Sequence, residues 1–407
     1  MRDLLPNIAS WKFALAAVIT TLMLAGIVAL ALGLGADEEP RRVGTATTTE
    51  TAPAETAQQD ERKRRRATPG AQVAELAERM SIEDRVAQLF LFGFQGQDLT
   101  APIFEQLRQQ GLGGIAIDAQ NYVSADQLAS LAGEAEVIAR QEANVQPWVL
   151  APQEGGEFNA FPDLPPATAA ADLDSASDAL RETRQAANAL GGAGLSGVLG
   201  PVIDVGPSSG LAVGARAFSE DPRDVVDYAQ AVIDVYRSQS LLTAAGHFPG
   251  LGSGSEDPRL GPSQVGSSID ELSARDLLPF RAAIRVGAPA ITMSNGLYVT
   301  DDFVTPGSLS PALIGGLLRR DLGFRGLVIT DDLADPGVTA LTTIPEAAVA
   351  AIRAGADLLY ISGPPAEQQA AYDAVLRAAR SGALAAGRLK EALLRNLSIK
   401  RNYGLIE

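Results

Sequence analysis

Short apolar segments alternate with amphipathic helical segments along most of this chain. Eight apolar segments that end near Gly, Pro, Asp or another polar residue are predicted strands, at residues 87–94, 113–117, 148–151, 196–205, 242–247, 290–293, 326–330 and 357–362. Predicted helices between them include residues 126–140, 175–191, 222–239, 269–286 and 345–354. Alternating strands and helices are typical of parallel strands joined by crossover helices. Eight such units favour a closed (β/α)8 barrel of the TIM type over residues 71–407.

An open, doubly wound sheet is the alternative with the same alternation of elements. Such sheets usually carry a Gly-rich phosphate loop after the first strand. The chain has no G-x-G-x-x-G in that position and no G-x-x-x-x-G-K-S/T, so we predict no nucleotide partner. In a barrel, functional residues lie at the carboxyl ends of the strands. Five polar residues fall at such ends: Glu154, Asp204, His247, Asn295 and Asp331.

The amino-acid composition excludes several classes of ligand and of catalytic group. The net charge of −16 argues against nucleic acid as a partner, because phosphate binding needs a basic surface. The absence of Cys excludes disulfides, thiolate catalysis and Cys-ligated metals, and a single His makes a zinc site improbable. We therefore predict no metal and no cofactor, and chemistry based on carboxylates, hydroxyls, basic groups and one imidazole.

The N-terminal region differs in composition from the rest of the chain. Residues 13–35 form an uncharged apolar run of 23 residues, long enough to span about 30 Å of hydrocarbon as a helix. Signal-peptide cores are usually shorter, so an uncleaved membrane anchor over residues 1–36 is the prediction, and a signal sequence cleaved near Ala36 is the alternative. Residues 37–70 lack apolar periodicity and are predicted to be a disordered linker.

Five short motifs follow the predicted strands in a distinctive order. They occupy residues 153–156 (Q-E-G-G), 200–205 (G-P-V-I-D-V), 216–222 (R-A-F-S-E-D-P), 246–252 (G-H-F-P-G-L-G) and 330–333 (T-D-D-L). They resemble D-Q-E-G-G, A-P-V-x-D-x, R-S-F-x-x-D-P, K-H-F-P-G-H-G and S-D-D-L of glycoside hydrolase family 3. Within that family the chain is similar to the single-domain bacterial β-N-acetylglucosaminidases, also called β-N-acetylhexosaminidases. The resemblance covers roughly residues 80–405.

The resemblance implies a retaining glycosidase, in which one carboxylate attacks the anomeric carbon and a second group protonates the leaving oxygen. Asp331 matches the nucleophile, although a carboxylate at this position could instead cap the following helix. Arg216 and His247 match residues that hydrogen-bond sugar hydroxyls. Asn295 lies near a position where the family often has a His, and is a candidate sugar contact.

Other residues of these motifs have two possible roles. Arg216 could form an ion pair with a neighbouring carboxylate, such as one from Glu220 or Asp221, and Asp204 could orient Arg216 or its own loop. Glu154 is a candidate substrate-binding residue that could also shape the turn at its strand end. Asp332 is expected to be a capping or structural residue.

The chain departs from the family pattern at four positions near the predicted chemistry. Gly246 and Leu251 replace the Lys and the second His of the family's His motif. Pro152 replaces the Asp that grips the sugar, and Glu157 replaces a basic residue. These losses would weaken contacts with sugar hydroxyls, and such contacts strengthen in the transition state.

The loop of residues 253–262 carries the most consequential departure. The subfamily has an acid/base pair in a D-S-H segment, whereas this chain has Asp257, Pro258 and Arg259. Arginine stays charged and cannot shuttle a proton. Three explanations remain open: Glu256 or Asp257 acts as the acid with a pKa raised by burial, Arg259 binds an anionic group, or proton transfer has been lost.

The resulting prediction is a retaining hydrolase of β-linked N-acetylglucosamine-type sugars, from cell-wall glycan, whose partners are a carbohydrate and, through the N-terminal helix, a membrane. The alternative is an inactive carbohydrate-binding or scaffolding protein with the same barrel, and a third possibility is a different glycoside. We expect a single-pass protein of a bacterial cell membrane with the barrel outside the cytoplasm. That orientation follows from wall-sugar chemistry, because basic residues flank the apolar run equally.

Overall fold

The computed structural model describes residues 69–406. Eight parallel strands form a nearly closed barrel in the order β10-β1-β2-β3-β4-β5-β7-β9. Their bounds are Phe90–Gly93 (β1), Gly114–Ala116 (β2), Trp148–Ala151 (β3), Gly197–Val198 (β4), Leu242–Phe248 (β5), Ala290–Met293 (β7), Leu327–Ile329 (β9) and Leu359–Ile361 (β10). Two further short strands, Gln264–Val265 (β6) and Leu297–Tyr298 (β8), pair with each other outside the barrel. The predicted α/β barrel is confirmed.

The seam between β9 and β10 closes the ring with few backbone bonds. An isolated parallel bridge joins Ile329 to Leu358, and the Thr330 N–H donates to the Leu358 carbonyl at 3.1 Å. Above that point side chains take over, since Thr330 Oγ1 accepts from the Tyr360 N–H at 3.0 Å. The segment that follows β9 is therefore held to β10 by side-chain bonds together with one backbone bond, from the Leu333 N–H to the Tyr360 carbonyl at 3.0 Å.

Helices surround the barrel and connect successive strands. They are Pro69–Arg79 (α1), Ile82–Ala87 (α2), Pro102–Gln110 (α3), Ala125–Gln141 (α4), Ala176–Gly192 (α5), Pro222–Ser238 (α6), Ile269–Ala274 (α7), Leu277–Arg285 (α8), Pro336–Thr339 (α9), Ile344–Ala354 (α10), Pro365–Arg380 (α11) and Ala386–Asn402 (α12), with a π-helix at Ala312–Asp321. Within residues 69–406, none of these helices has the length and apolar character needed to cross a membrane. The predicted anchor (1–36) and nearly all of the predicted linker (37–70) lie outside the described residues, and α1 begins at Pro69.

Side chains alternate between two apolar layers along each strand, as the two-residue period of a strand requires. Inward-facing residues such as Leu91, Leu150 and Ile329 fill the barrel interior, while outward-facing residues pack against the helices. Trp148 plugs the amino end of the barrel, where its indole N–H donates to Asn396 Oδ1 of α12 at 2.8 Å. Because Trp148 fills the amino end, the carboxyl end of the barrel is where a functional site can open.

Two predicted elements are shorter than the pattern indicated. The predicted strand at 196–205 is a strand only at Gly197–Val198, because Pro201 has no N–H to donate to a ladder, and the path continues as an isolated bridge between Val202 and Gly246. The predicted helix at 269–286 is two helices, α7 and α8. Pro279 cannot donate to the carbonyl four residues earlier, so it is tolerated only in the first turn of a new helix.

Candidate active site

A cavity of about 290 Å³ opens at the carboxyl ends of the barrel strands. Five of the residues predicted from the sequence line it: Glu154, Arg216, His247, Arg259 and Asp331. Asp118, Asp332 and Asp335 add further carboxylates to its wall. The strand-end positions thus bring together residues that are far apart in the chain, as parallel topology requires.

Arg216 and Glu154 form a bidentate ion pair in the cavity wall. Arg216 Nε and Nη2 donate to the two carboxylate oxygens of Glu154 at 2.6 and 2.9 Å. The turn after β3 is shaped by Gly155 instead, whose φ of +107° is unfavourable for other residues, and a Cβ there would lie 2.2 Å from the Thr168 carbonyl oxygen. The partner of Arg216 is therefore Glu154, and not Glu220 or Asp221. The pair fixes the guanidinium plane beside the cavity.

Asp204 fixes the orientation of His247. The fully buried Asp204 carboxylate accepts from His247 Nδ1 at 2.7 Å, from the His247 backbone N–H at 3.0 Å and from the Leu251 N–H at 2.6 Å. Burial disfavours the imidazolium, but the carboxylates of Asp204 and, to a lesser degree, Asp331 together raise the pKa of His247 above its ordinary value. Asp204 therefore orients the His loop, and Nε2 is left to face the cavity.

Nε2 of His247 lies between the other two site groups. It is 3.3 Å from Arg216 Nη2 and 4.0 Å from Asp331 Oδ2. In the neutral ring Nε2 accepts from Arg216, and in the imidazolium it presents an N–H toward Asp331. Hydrogen-bond contacts thus connect Glu154, Arg216 and His247, and Asp331 lies 4.0 Å beyond the imidazole.

Asp331 projects into the cavity directly after β9. Its backbone N–H donates to the Met293 carbonyl of β7 at 3.1 Å, and its Oδ1 accepts from the Asp332 N–H at 3.0 Å. Asp332 has a different task, since its Oδ1 accepts from the backbone N–H groups of Ala334 and Ser362 at 2.9 and 3.0 Å. Burial raises the pKa of Asp332 to about 6 despite these bonds. The expectation of a structural role for Asp332 agrees with this geometry.

The loop of residues 253–262 holds an internal ion pair. Arg259 Nε and Nη2 each donate to Asp257 Oδ2, at 2.9 and 2.5 Å, and the Arg259 backbone N–H donates to Oδ1 at 3.0 Å. Burial opposes ionisation of Asp257, but these bonds dominate and hold its pKa below the ordinary value. Glu256 is exposed and, like Asp257, does not line the cavity. Asp257 is therefore not a buried acid with a raised pKa, and Glu256 lies exposed outside the cavity.

Asn295 is buried against the loop that follows β9 and does not line the cavity. It is fully buried, and its Nδ2 donates to the Asp332 carbonyl at 2.7 Å and to Asp335 Oδ2 at 3.3 Å. Its Oδ1 has no hydrogen-bond partner among the described residues. Sequence reasoning did not single out Asp335, although the run D-D-L-A-D places a third carboxylate two residues after the nucleophile motif.

The charge in this cavity is that of a site for a neutral, hydroxyl-rich ligand. Carboxylates are abundant in its wall, and the Arg216 guanidinium is already paired with Glu154, so a phosphorylated or strongly anionic ligand gains little there. Among the described residues, no group of His, Asp or Glu side chains has the arrangement of a metal site. Fixed donors and acceptors around one carboxylate suit a sugar ring.

Comparisons with known proteins agree with this geometry. A beta-hexosaminidase of Stenotrophomonas maltophilia is 30% identical over 306 residues, which cover 73% of this chain and 90% of the relative. A solved glycoside hydrolase family 3 β-N-acetylglucosaminidase from a Paenibacillus species superposes with a TM-score of 0.75 at 27% identity, over 80% of this chain and 63% of that longer chain. A solved β-N-acetylhexosaminidase from Beutenbergia cavernae gives 0.72 at 26% identity, over 79% of this chain and 99% of its own. Residues 81–399 match the glycosyl hydrolase family 3 N-terminal domain, and the chain belongs to that family.

Proposed function

We propose that this chain is a retaining glycosidase that hydrolyses β-linked N-acetylglucosamine-type sugars, with Asp331 as the nucleophile. The observation that carries the proposal is the position of the Asp331 carboxylate at the strand end, 4.0 Å from His247 Nε2 and inside the same cavity as Arg216. One Asp331 oxygen accepts from the Asp332 N–H, and the other is left to face the ligand space. This is the arrangement that an attacking carboxylate needs.

The reaction then follows the double displacement of retaining glycosidases. Asp331 attacks the anomeric carbon as the bond to the leaving oxygen breaks, and water later hydrolyses the glycosyl ester. Arg216 and His247 bind hydroxyls of the sugar. The bonds from Arg216 to Glu154 use Nε and Nη2, so Nη1 remains a donor for the ligand. These donors are already oriented before the sugar binds, which lowers the entropic cost of the contact.

The size of the cavity supports recognition of one sugar ring. Its volume of about 290 Å³ lies at the lower end of small-molecule sites, which span about 300–1,000 Å³. The relatives are a beta-hexosaminidase and a β-N-acetylglucosaminidase, which supports an N-acetylhexosamine as that ring. We propose cell-wall glycan as the polymeric source of this sugar.

We also propose that residues 1–36 anchor the protein in a bacterial cell membrane, with residues 37–70 as a linker and the barrel outside the cytoplasm. The apolar run at residues 13–35 supports an anchor by its length. Wall glycan as substrate supports the outward orientation. An enzyme reporter fused after Glu407 tests this, and a cytoplasmic signal would contradict it.

Asp331→Asn tests the nucleophile directly. Full-length wild type and variant would be assayed on two N-acetyl-β-glucosaminides, one with a dinitrophenyl leaving group and one with a methyl group. Loss of the attacking carboxylate should lower turnover of both by on the order of a thousandfold or more. Glu220→Gln is the matched control, because Glu220 is an exposed carboxylate outside the cavity lining. Equal activity of Asp331→Asn and wild type would reject the assignment.

A non-catalytic carbohydrate-binding protein is the second candidate function. It is favoured by one observation, the ion pair between Arg259 and Asp257 at the loop where an acid/base pair would be expected. Calorimetric titration with N-acetylglucosamine distinguishes the two. Binding without turnover of either substrate would select this alternative.

A further inference from the structure

Asp335 differs from the other carboxylates of the cavity because its side chain makes few hydrogen bonds within the protein. It occupies the N-cap position of α9, where an Asp usually accepts a hydrogen bond from the first backbone N–H groups of the helix. Its side chain makes no such bond, lines the cavity that contains Asp331, and has one hydrogen-bond contact, 3.3 Å from Asn295 Nδ2. The carboxyl group therefore does not cap the helix and faces the cavity.

The other carboxylates near the cavity form stronger hydrogen bonds or ion pairs with the protein. Glu154 accepts both bonds of the Arg216 pair, and Asp118 accepts from the Ala119 N–H at 2.6 Å. Asp332 accepts from two backbone N–H groups, and Asp257 is held by Arg259 outside the lining. Apart from the nucleophile, Asp335 is the cavity carboxyl whose oxygens are least engaged by the described residues.

We propose that Asp335 is the general acid and base of this enzyme, a role that rests on the proposed function of Asp331. In the first step the Asp335 carboxyl gives its proton to the glycosidic oxygen while an Asp331 oxygen bonds to the anomeric carbon and the old bond breaks. The leaving alcohol departs, and Asp335 is left as a carboxylate. In the second step Asp335 takes a proton from water, whose oxygen attacks the anomeric carbon and releases Asp331 as a carboxylate.

The surroundings of Asp335 suit both halves of this cycle. Burial, followed by the negative charges of Asp331 and Asp332, raises the pKa of Asp335 to about 9, so the group carries a proton at neutral pH. Asp257 adds to this effect, and the Asn295 contact opposes it. When Asp331 becomes a neutral ester, one of the charges that raise the pKa disappears. The pKa of Asp335 then falls, which favours removal of a proton from water.

The experiment compares full-length wild type, Asp335→Asn and Asp257→Asn on the two substrates used above. General acid catalysis is worth about 10²–10⁴-fold for a poor leaving group and little for a good one. We expect Asp335→Asn to lose this factor in kcat/KM on the methyl glycoside and less than about tenfold on the dinitrophenyl glycoside. Azide, which needs no base, should restore turnover of the latter and give a glycosyl azide. Asp257→Asn should leave the ratio of the two substrates close to that of wild type.

A pH profile adds a readout that a structural role would not move. In wild type, kcat/KM on the methyl glycoside should fall as pH rises through about 9, as the acid loses its proton, and Asp335→Asn should lack this alkaline limb. Equal losses on both substrates, no azide product, or a leaving-group effect confined to Asp257→Asn would overturn the proposal.

Wild-type behaviour separates this proposal from the proposed function. If wild type cleaves only the dinitrophenyl glycoside, Asp331 functions and Asp335 is not an acid. If wild type cleaves neither substrate, the glycosidase function itself fails. Thermal unfolding of each variant shows whether a loss of activity reflects a loss of folded protein.

Discussion

Asp357 holds three arginines near the amino ends of β9 and β10. Its buried carboxylate lies 2.5 Å from a guanidinium nitrogen of Arg319, 2.5 Å from one of Arg388 and 3.0 Å from one of Arg395, and it accepts from the Val328 N–H at 3.1 Å. One carboxylate therefore ties the π-helix and α12 to the last two strands. Asp357→Asn keeps the shape of this side chain and removes its charge.

The structure sets the size of the effect. Removing one partner of a buried ion pair costs about 3–5 kcal/mol of unfolding free energy. The three arginine side chains are 11–19% exposed, so water does little to replace Asp357. Burial already lowers the pKa of Arg319 to about 10 even with Asp357 present. Glu391 still pairs with Arg388 and Arg395, so we expect the lower end of the range, about 3 kcal/mol.

Urea unfolding and thermal unfolding of the full-length protein measure this change. The unfolding entropy of a domain of this size is about 0.7 kcal/mol/K, so 3 kcal/mol lowers Tm by about 4 °C. Asp321→Asn is the matched control, because Asp321 pairs with Arg320 on the surface and should cost less than about 1 kcal/mol. If Asp357→Asn loses no more stability than Asp321→Asn, the reasoning that one buried carboxylate holds this cluster together is wrong.

Two further predictions concern His247. Asp204→Asn replaces a carboxylate that accepts three hydrogen bonds by an amide. A lost hydrogen bond to a charged group is worth about 1.5–3 kcal/mol, so kcat/KM should fall about ten- to a hundredfold. An unchanged kcat/KM would show that His247 does not need Asp204 for its orientation. Because the folded protein raises the pKa of His247 above 6.5, its stabilising contribution is complete below that value and is lost as pH rises through the folded-state pKa. Urea unfolding of wild type and His247→Gln should thus give a free-energy difference that shrinks as pH rises above 6.5, and a difference that grows would contradict the sign of the shift.

The barrel could be predicted because the spacing of apolar residues within each segment indicates whether that segment is a strand or a helix. Seven of the eight predicted strands end within a few residues of their observed bounds, and the exception, at 196–205, contains Pro201. The break between α7 and α8 has the same kind of cause, a proline inside an otherwise regular apolar pattern. Pro201 and Pro279 both lie inside segments whose apolar spacing is regular, so the predicted strand and helix were extended through them.

The site was predicted less completely because its pairings are long-range. Strand-end positions identified Glu154, His247 and Asp331, and the family resemblance identified Arg216. Yet 62 residues separate Arg216 from the carboxylate that binds it, and no local pattern records that pairing. Asp335 was missed for another reason. An Asp before a Pro at a helix start reads as a cap, and only the three-dimensional structure reveals that the carboxyl turns away from the helix.

The sparse seam between β9 and β10 lies directly beside Asp331, the proposed nucleophile. The residues on either side of Asp331 are Thr330 and Asp332, and their side chains accept from the Tyr360 and Ser362 N–H groups of the final strand. Two of the bonds that join β9 to the β10 segment are therefore made by the immediate neighbours of Asp331. A fluctuation that separates β9 from β10 should therefore displace Asp331 before the apolar core is exposed, and we expect loss of activity to precede loss of structure.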